Sequence, residues 1–272
     1  MGHRWAAFTE MLRCSLLGHL RNRLAMVLAC VFVPVWIIVG RVCALDTVVR
    51  YRLDILDVDA VGLANRVGQV SNALSAIMLI TGFMMFTETF KAGEMDRRLV
   101  LAGYSRLPLL LAKVAALFVV ASVLAGYTVV WLSLFLPVEQ FWPLVLALLA
   151  AGLAYGGIGL LLGSLVRGEL EGFFTVVMLS LIDSGVQNPA LEAANLPGLS
   201  VLPSYGAAQS ALAASFTRTG PGAHPLLAVA WCAATLALTL LVFHVRTRSY
   251  RTGTGSLAAR AGAEAVARCP AA

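Results

Sequence analysis

Lysine is nearly absent from this chain: Lys91 and Lys113 are the only two in 272 residues. Neither stands directly before Ser or Thr after a glycine-rich turn, so the phosphate cradle of P-loop ATPases is excluded. Histidine is scarce as well. The four, at 3, 19, 224 and 244, contain no pair at the i, i+4 spacing that places two imidazoles on one helical face, which argues against a zinc helix. The five cysteines, at 14, 30, 43, 232 and 269, have neither metal nor redox spacing, and no disulfide is expected. Charged residues of both signs reach only 12%, and no stretch has the composition of a soluble domain of useful size.

What is present in abundance is apolar. Hydrophobic residues make up 60% of the chain, above the roughly 45–50% of soluble domains, and they gather in long runs. Runs near or above the ~20 residues that a helix needs to cross a hydrocarbon core predict an all-α integral membrane protein with spans at about 24–45, 67–89, 108–136, 143–166, 172–191 and 222–245. Residues 1–251 would form one transmembrane domain, and 252–272 a flexible tail. Arg41 at the end of the first span can snorkel to the interface. The fifth span is the difficult one, because the run that begins at Gly172 meets Asp183 after only 11 uncharged residues. A carboxylate there should face a protein interior or a watery cavity. Three readings are open for it: a cap on a broken helix, a residue of an exit path, or a group at the outer interface.

Six spans with both termini in the cytoplasm sort the basic residues sharply. Fifteen of the 20 fall inside, and Arg41, Arg50, Arg52, Arg66 and Arg218 fall outside, as the preference of Lys and Arg for cytoplasmic loops demands. That sorting explains the pI of about 9.4 without nucleic acid. Ahead of the first span, Trp5, Phe8, Leu12, Leu16 and Leu20 recur every three or four residues, which predicts an uncleaved amphipathic helix on the inner membrane surface, touching lipid. Between the fifth and sixth spans, Pro189, Pro197 and Pro203 interrupt an apolar stretch, so short re-entrant or interfacial helices on the outer side are expected. The fourth span carries Gly152, Gly156, Gly157, Gly159 and Gly163, which allow close helix approach.

The one dense group of charges is "FKAGEMDRRLVLAGYSRLPLLLAK", residues 90–113. Glu94 can pair with Arg97 or Arg98 at i+3 and i+4, Gly103 is placed to end a short helix, and Pro108 to begin the next. By itself the segment could simply hold two spans in orientation. Ser164 and His244 invite comparison with an intramembrane serine protease, but His244 has no orienting acid near it in sequence.

Taken in order, "LRNRLAMVLACVFVPVWIIV", "LVLAGYSRLPLLLAK", the glycine-rich fourth span, "DSGVQNP" and "LPSYGAAQSAL" resemble the permease subunits of ABC-2 type exporters. The portion around "QNP…LPSYG" is most similar to small bacterial drug or peptide exporter permeases. The resemblance covers about residues 8–250. It implies a subunit of the bacterial cytoplasmic membrane that pairs with a second permease, as homodimer or heterodimer, and docks a separate nucleotide-binding ATPase. ATP and Mg would then be bound by that partner, with no cofactor and no catalytic residue in this chain. It also implies that the segment between spans two and three is a coupling helix. Glu94, Asp96, Arg97 and Arg98 would be its polar surface, and Leu99, Leu101 and Tyr104 its apolar contacts. Two other classes compete: a membrane scaffold without transport, and a secondary transporter, which usually keeps ionisable residues at midplane.

Overall fold

The computed structural model describes residues 2–44, 46–53, 57–102, 104, 106–189, 198–218, 224–242 and 245. The side chains of Trp5 and Leu101, residue Gly103, segments 190–197 and 219–223 and the tail 252–272 lie outside that description. The chain runs through α1 (Gly2–Arg21), α2 (Arg23–Cys43), a hairpin of β1 (Val48–Leu53) and β2 (Val58–Leu63), α3 (Ala64–Leu101), α4 (Arg106–Phe135), α5 (Phe141–Leu165) and α6 (Glu169–Val186). A 3-10 turn (Leu199–Val201) and α7 (Tyr205–Phe216) follow, and α8 (Pro225–Val242) closes the described bundle.

Five helices, α2, α3, α4, α5 and α8, are long and apolar enough to cross a membrane. Their surfaces say the same. On α2, Leu24, Val27, Val31, Val35, Ile38 and Val42 are all exposed at spacings of three and four, a full apolar stripe on the outside of the bundle. In water such a patch marks a membrane or partner surface. Lipid removes its cost, and the protein is a helical multi-pass membrane protein.

Most of the described elements pack directly against α3. Its interior carries polar residues, and two of them are satisfied within the helix: Thr87 Oγ1 donates to the Phe83 carbonyl at 3.0 Å, and Thr81 Oγ1 donates to the Ile77 carbonyl. No proline falls between Ala64 and Leu101, so nothing breaks the hydrogen-bond ladder. The expected second span and the short charged helix after it are therefore one rod of 38 residues, about 57 Å long at the α-helical rise. This corrects the sequence expectation of two separate pieces.

α3 and α5 meet backbone to backbone. A Cβ on Gly159 would lie 2.3 Å from the Gly82 carbonyl oxygen, closer than any side chain permits. Gly159→Leu is expected to abolish the monodisperse peak on size exclusion in detergent, while Gly126→Leu in α4, where a Cβ meets nothing within 4 Å, should leave it intact.

The loop between the first two spans is not irregular. β1 and β2 pair antiparallel with Tyr51 opposite Ala60. Arg50 and Arg52 alternate with buried Tyr51 and Leu53, the period of two that a half-buried strand requires, so the fold is not purely helical. At this end Arg41 Nη1 donates to the Phe135 carbonyl at 3.2 Å, closing the C-terminus of α4.

Candidate functional site

At the end of the bundle opposite the hairpin, α3 projects Glu94, Met95, Arg97 and Arg98 outward, all exposed. Leu99 and Tyr104 are half-buried beside them. Asp96 departs from the expected polar surface. It is 2% exposed and turns inward, where its Oδ2 pairs with Lys113 Nζ of α4 at 2.5 Å. Lys113 is 4% exposed. One residue on the other side of the same turn therefore welds the charged end of α3 to the next helix. Lys91 reaches Glu169 at 3.5 Å, so the start of α6 is tied to the same region.

α1 lies against this joint with its polar side inward. Ser15 Oγ donates to Glu88 Oε1 at 2.8 Å, and Asn22 Nδ2 donates to Thr87 Oγ1 at 3.4 Å. Asn22 also caps α2 by accepting from the Ala25 N–H. His19, 4% exposed, keeps Nε2 unpartnered, as does Glu88 its Oε2. Of the expected apolar stripe, Phe8, Leu12 and Leu16 are half-buried and Leu20 is 62% exposed. The stripe therefore lies partly against the bundle, with Leu16 packed on its core, while Glu10 and Arg13 are exposed.

Burial holds the His19 imidazole below its ordinary value of 6.5, against the opposing pull of Glu88 and with a smaller push from Lys113. A depressed folded-state value means that the unfolded chain takes up the proton first. The stability from neutral His19 is complete above about pH 6.5 and is lost as pH falls through the lower folded value. The melting temperature should decline on that acid limb, and His19→Leu should flatten the decline; an unchanged limb in the variant would contradict this role.

A second polar cluster sits where the apolar stretch after α5 is broken. Asp183, 1% exposed, lies in the last turn of α6. Its Oδ2 accepts from the Tyr155 hydroxyl at 2.6 Å and from the Ser204 backbone N–H at 3.3 Å. Its Oδ1 accepts from Gln187 Nε2, which also donates to Ser204 Oγ at 2.8 Å. Ser204 is the N-cap position of α7, so the carboxylate closes the positive end of that helix. Of the three readings for Asp183, the cap is the one these contacts describe: the carboxylate meets the N-terminus of α7.

The place of the cluster along α5 follows from helix lengths. The far end of α7 is pinned to the start of α5, where Gln140 N donates to the Ala214 carbonyl at 3.0 Å and Gln140 Nε2 to the Thr217 carbonyl at 2.7 Å. Tyr155 lies about 21 Å along α5 from that end, and α7 is about 18 Å long. α7 therefore runs halfway along α5 and presents its N-terminus to Asp183 there. Of the stretch expected to re-enter, α7 is the described helix and 190–197 lies outside the described residues.

Among the partners that matter here, Tyr155, Gln187 and Ser204 did not stand out in the sequence, and nothing there paired Lys113 with Asp96 or placed His19 beside Glu88. A signal existed for one: Gln187 follows Asp183 by four residues, on the same helical face.

Compared with known proteins, the chain matches no protein-family model and no curated protein. The class that the fold and these two clusters define is a helical multi-pass membrane protein with a charged joint at one end and a buried carboxylate between α5, α6 and α7.

Proposed function

We propose that the chain is the membrane-spanning permease subunit of an ATP-driven exporter, with a separate ATPase docking at the charged end of α3. The spans are α2, α3, α4, α5, α6 and α8, and both termini lie in the cytoplasm of a bacterium. α6 is the one of the six that does not stand out as a span by length and composition. At 18 residues it is about 27 Å long, near the ~30 Å of a hydrocarbon core, and its one deep charge is met by three donors.

The observation that carries this reading is mechanical. Exposed Glu94, Arg97 and Arg98 stand on a helix that runs unbroken through the centre of the bundle and is locked to α4 by the buried Asp96–Lys113 pair. Force applied by a partner at those charges moves α3 as a rod, and with it the α5 and α6 surfaces packed on it. Leu99, Leu101 and Tyr104 supply apolar contact to the same partner, which binds the ATP and Mg. Two such chains, identical or not, enclose the path. The cargo is a hydrophobic or amphiphilic drug, natural product or peptide, suited to apolar walls.

Reversing two charges tests the docking surface. Arg97→Glu/Arg98→Glu is expected to reduce ATPase recovered with the tagged chain at least tenfold while membrane insertion is unchanged. Equal recovery would remove these residues from the interface.

One observation favours a second reading. Asp183 is a buried ionisable group at the junction of two helices, the kind of group that ion-coupled carriers use. Transport that persists without any ATPase and fails on collapsing the ion gradient would select it.

A further inference from the structure

Under the hairpin is a cavity of about 20 Å³, walled by Tyr51 of β1, Gln187 at the end of α6, and Gln209 and Tyr205 of α7. That is room for one guest the size of a water molecule. Three polar atoms around it have no partner among the described residues: Tyr51 Oη, Gln187 Oε1 and Gln209 Oε1. Tyr51 is 4% exposed and Gln187 9%, so bulk water does not satisfy them. The orientation of the Gln187 amide is fixed, because its Nε2 is engaged by Asp183 and Ser204. Its oxygen is left for the cavity.

Two of the three atoms only accept, and the third, a phenol oxygen, can turn to accept. The site therefore calls for a guest that donates. Directly behind the Gln187 amide is the Asp183 carboxylate, whose bonds all come from neutral groups: a phenol, an amide and a backbone N–H. No Lys, Arg or His pairs with Asp183 among the described residues. A buried carboxylate without a counter-ion is costly. Arg52 borders the cavity, but its guanidinium is paired with Asp57 on the hairpin.

We propose that this cavity binds an ammonium group, whose three or four N–H donors meet Gln187 Oε1, Gln209 Oε1 and Tyr51 Oη while its charge offsets Asp183. A water molecule of the same size donates only two hydrogens and brings no charge. The site joins the hairpin to the helix break, so an occupied cavity holds the two together. This inference concerns binding to the chain itself and stands independently of any ATPase.

The test is thermal unfolding of the purified full-length chain in detergent, at constant ionic strength, with choline chloride replaced stepwise by ammonium, methylammonium or sodium chloride. Ammonium is expected to raise the midpoint saturably, by roughly 3–6 °C, and the rise should vanish in Gln209→Leu and in Tyr51→Phe, the second of which removes only a hydroxyl. An equal rise with methylammonium assigns the site to the head of an alkylammonium; a rise with ammonium alone assigns it to the free ion. Identical midpoints in ammonium and choline would mean that the cavity holds water only and would overturn the proposal. So would a rise that both variants retain, or one produced by sodium and not by ammonium.

Discussion

Lys113→Met is expected to destabilise the protein by about 3–5 kcal/mol, the cost of leaving one member of a buried ion pair without the other. Asp96 and Lys113 are 3% and 4% exposed at the side chain and 2.5 Å apart, so neither can recover by turning to water. Replacing both tells more. Asp96→Leu/Lys113→Met removes the two charges together, and buried pairs exchanged for apolar side chains are often neutral or better in stability. The double variant should therefore regain most of the loss in a denaturation midpoint measured in detergent. If it is as unstable as the single variant, the pair is not an isolated couple and the joint has been assigned wrongly. The comparison also separates stability from function. A double variant that folds well but transports poorly would mark the polar joint as a mechanical part.

Asp183→Ala should be destabilising by a different route. It leaves the Ser204 N–H and one Gln187 N–H without an acceptor in a site closed to solvent, while the Tyr155 hydroxyl keeps the Leu179 carbonyl at 3.1 Å. Each orphaned donor costs roughly 1–3 kcal/mol, so about 2 kcal/mol or more is expected in sum. Asp183→Asn keeps one acceptor oxygen and should recover part of it. Limited proteolysis gives a local readout, because the loss should first expose the chain on either side of the break, around Gln187 and Ser204. If Asp183→Ala melts and is cleaved like the native chain, α7 is not held in place by the carboxylate.

The elements that follow from hydropathy alone were legible. α2, α4, α5 and α8 lie within a few residues of the predicted spans, because uncharged runs longer than a bilayer have few other solutions. The hairpin was legible in principle, since Arg50 and Arg52 alternate with Tyr51 and Leu53. A segment of charged residues between two apolar runs reads first as a loop, and that weight prevailed. The continuity of α3 was harder. Gly93 and the charges after Phe90 suggest an end, yet neither stops a helix unless another conformation offers its backbone better partners, and none competes before Leu101.

The polar joints were not legible, for a simple reason. Asp96 belongs to the run Asp96, Arg97 and Arg98, and only the direction of α4 beside it decides which of these turns inward. Lys113 sits 17 residues away, in what looked like the flank of the next span. Tyr155 meets Asp183 across 28 residues. Pairings at such distances depend on helix packing angles, which local sequence does not encode. The one short-range contact in the site, Asp183 with Gln187, is the one that spacing could have found.

The most direct test of the account is to purify the tagged chain from its native membrane in mild detergent and identify what accompanies it. The account predicts a nucleotide-binding ATPase in equal number to the chain, with ATP hydrolysis in the preparation. Absence of any ATPase, under conditions that keep other complexes of this kind together, would contradict it.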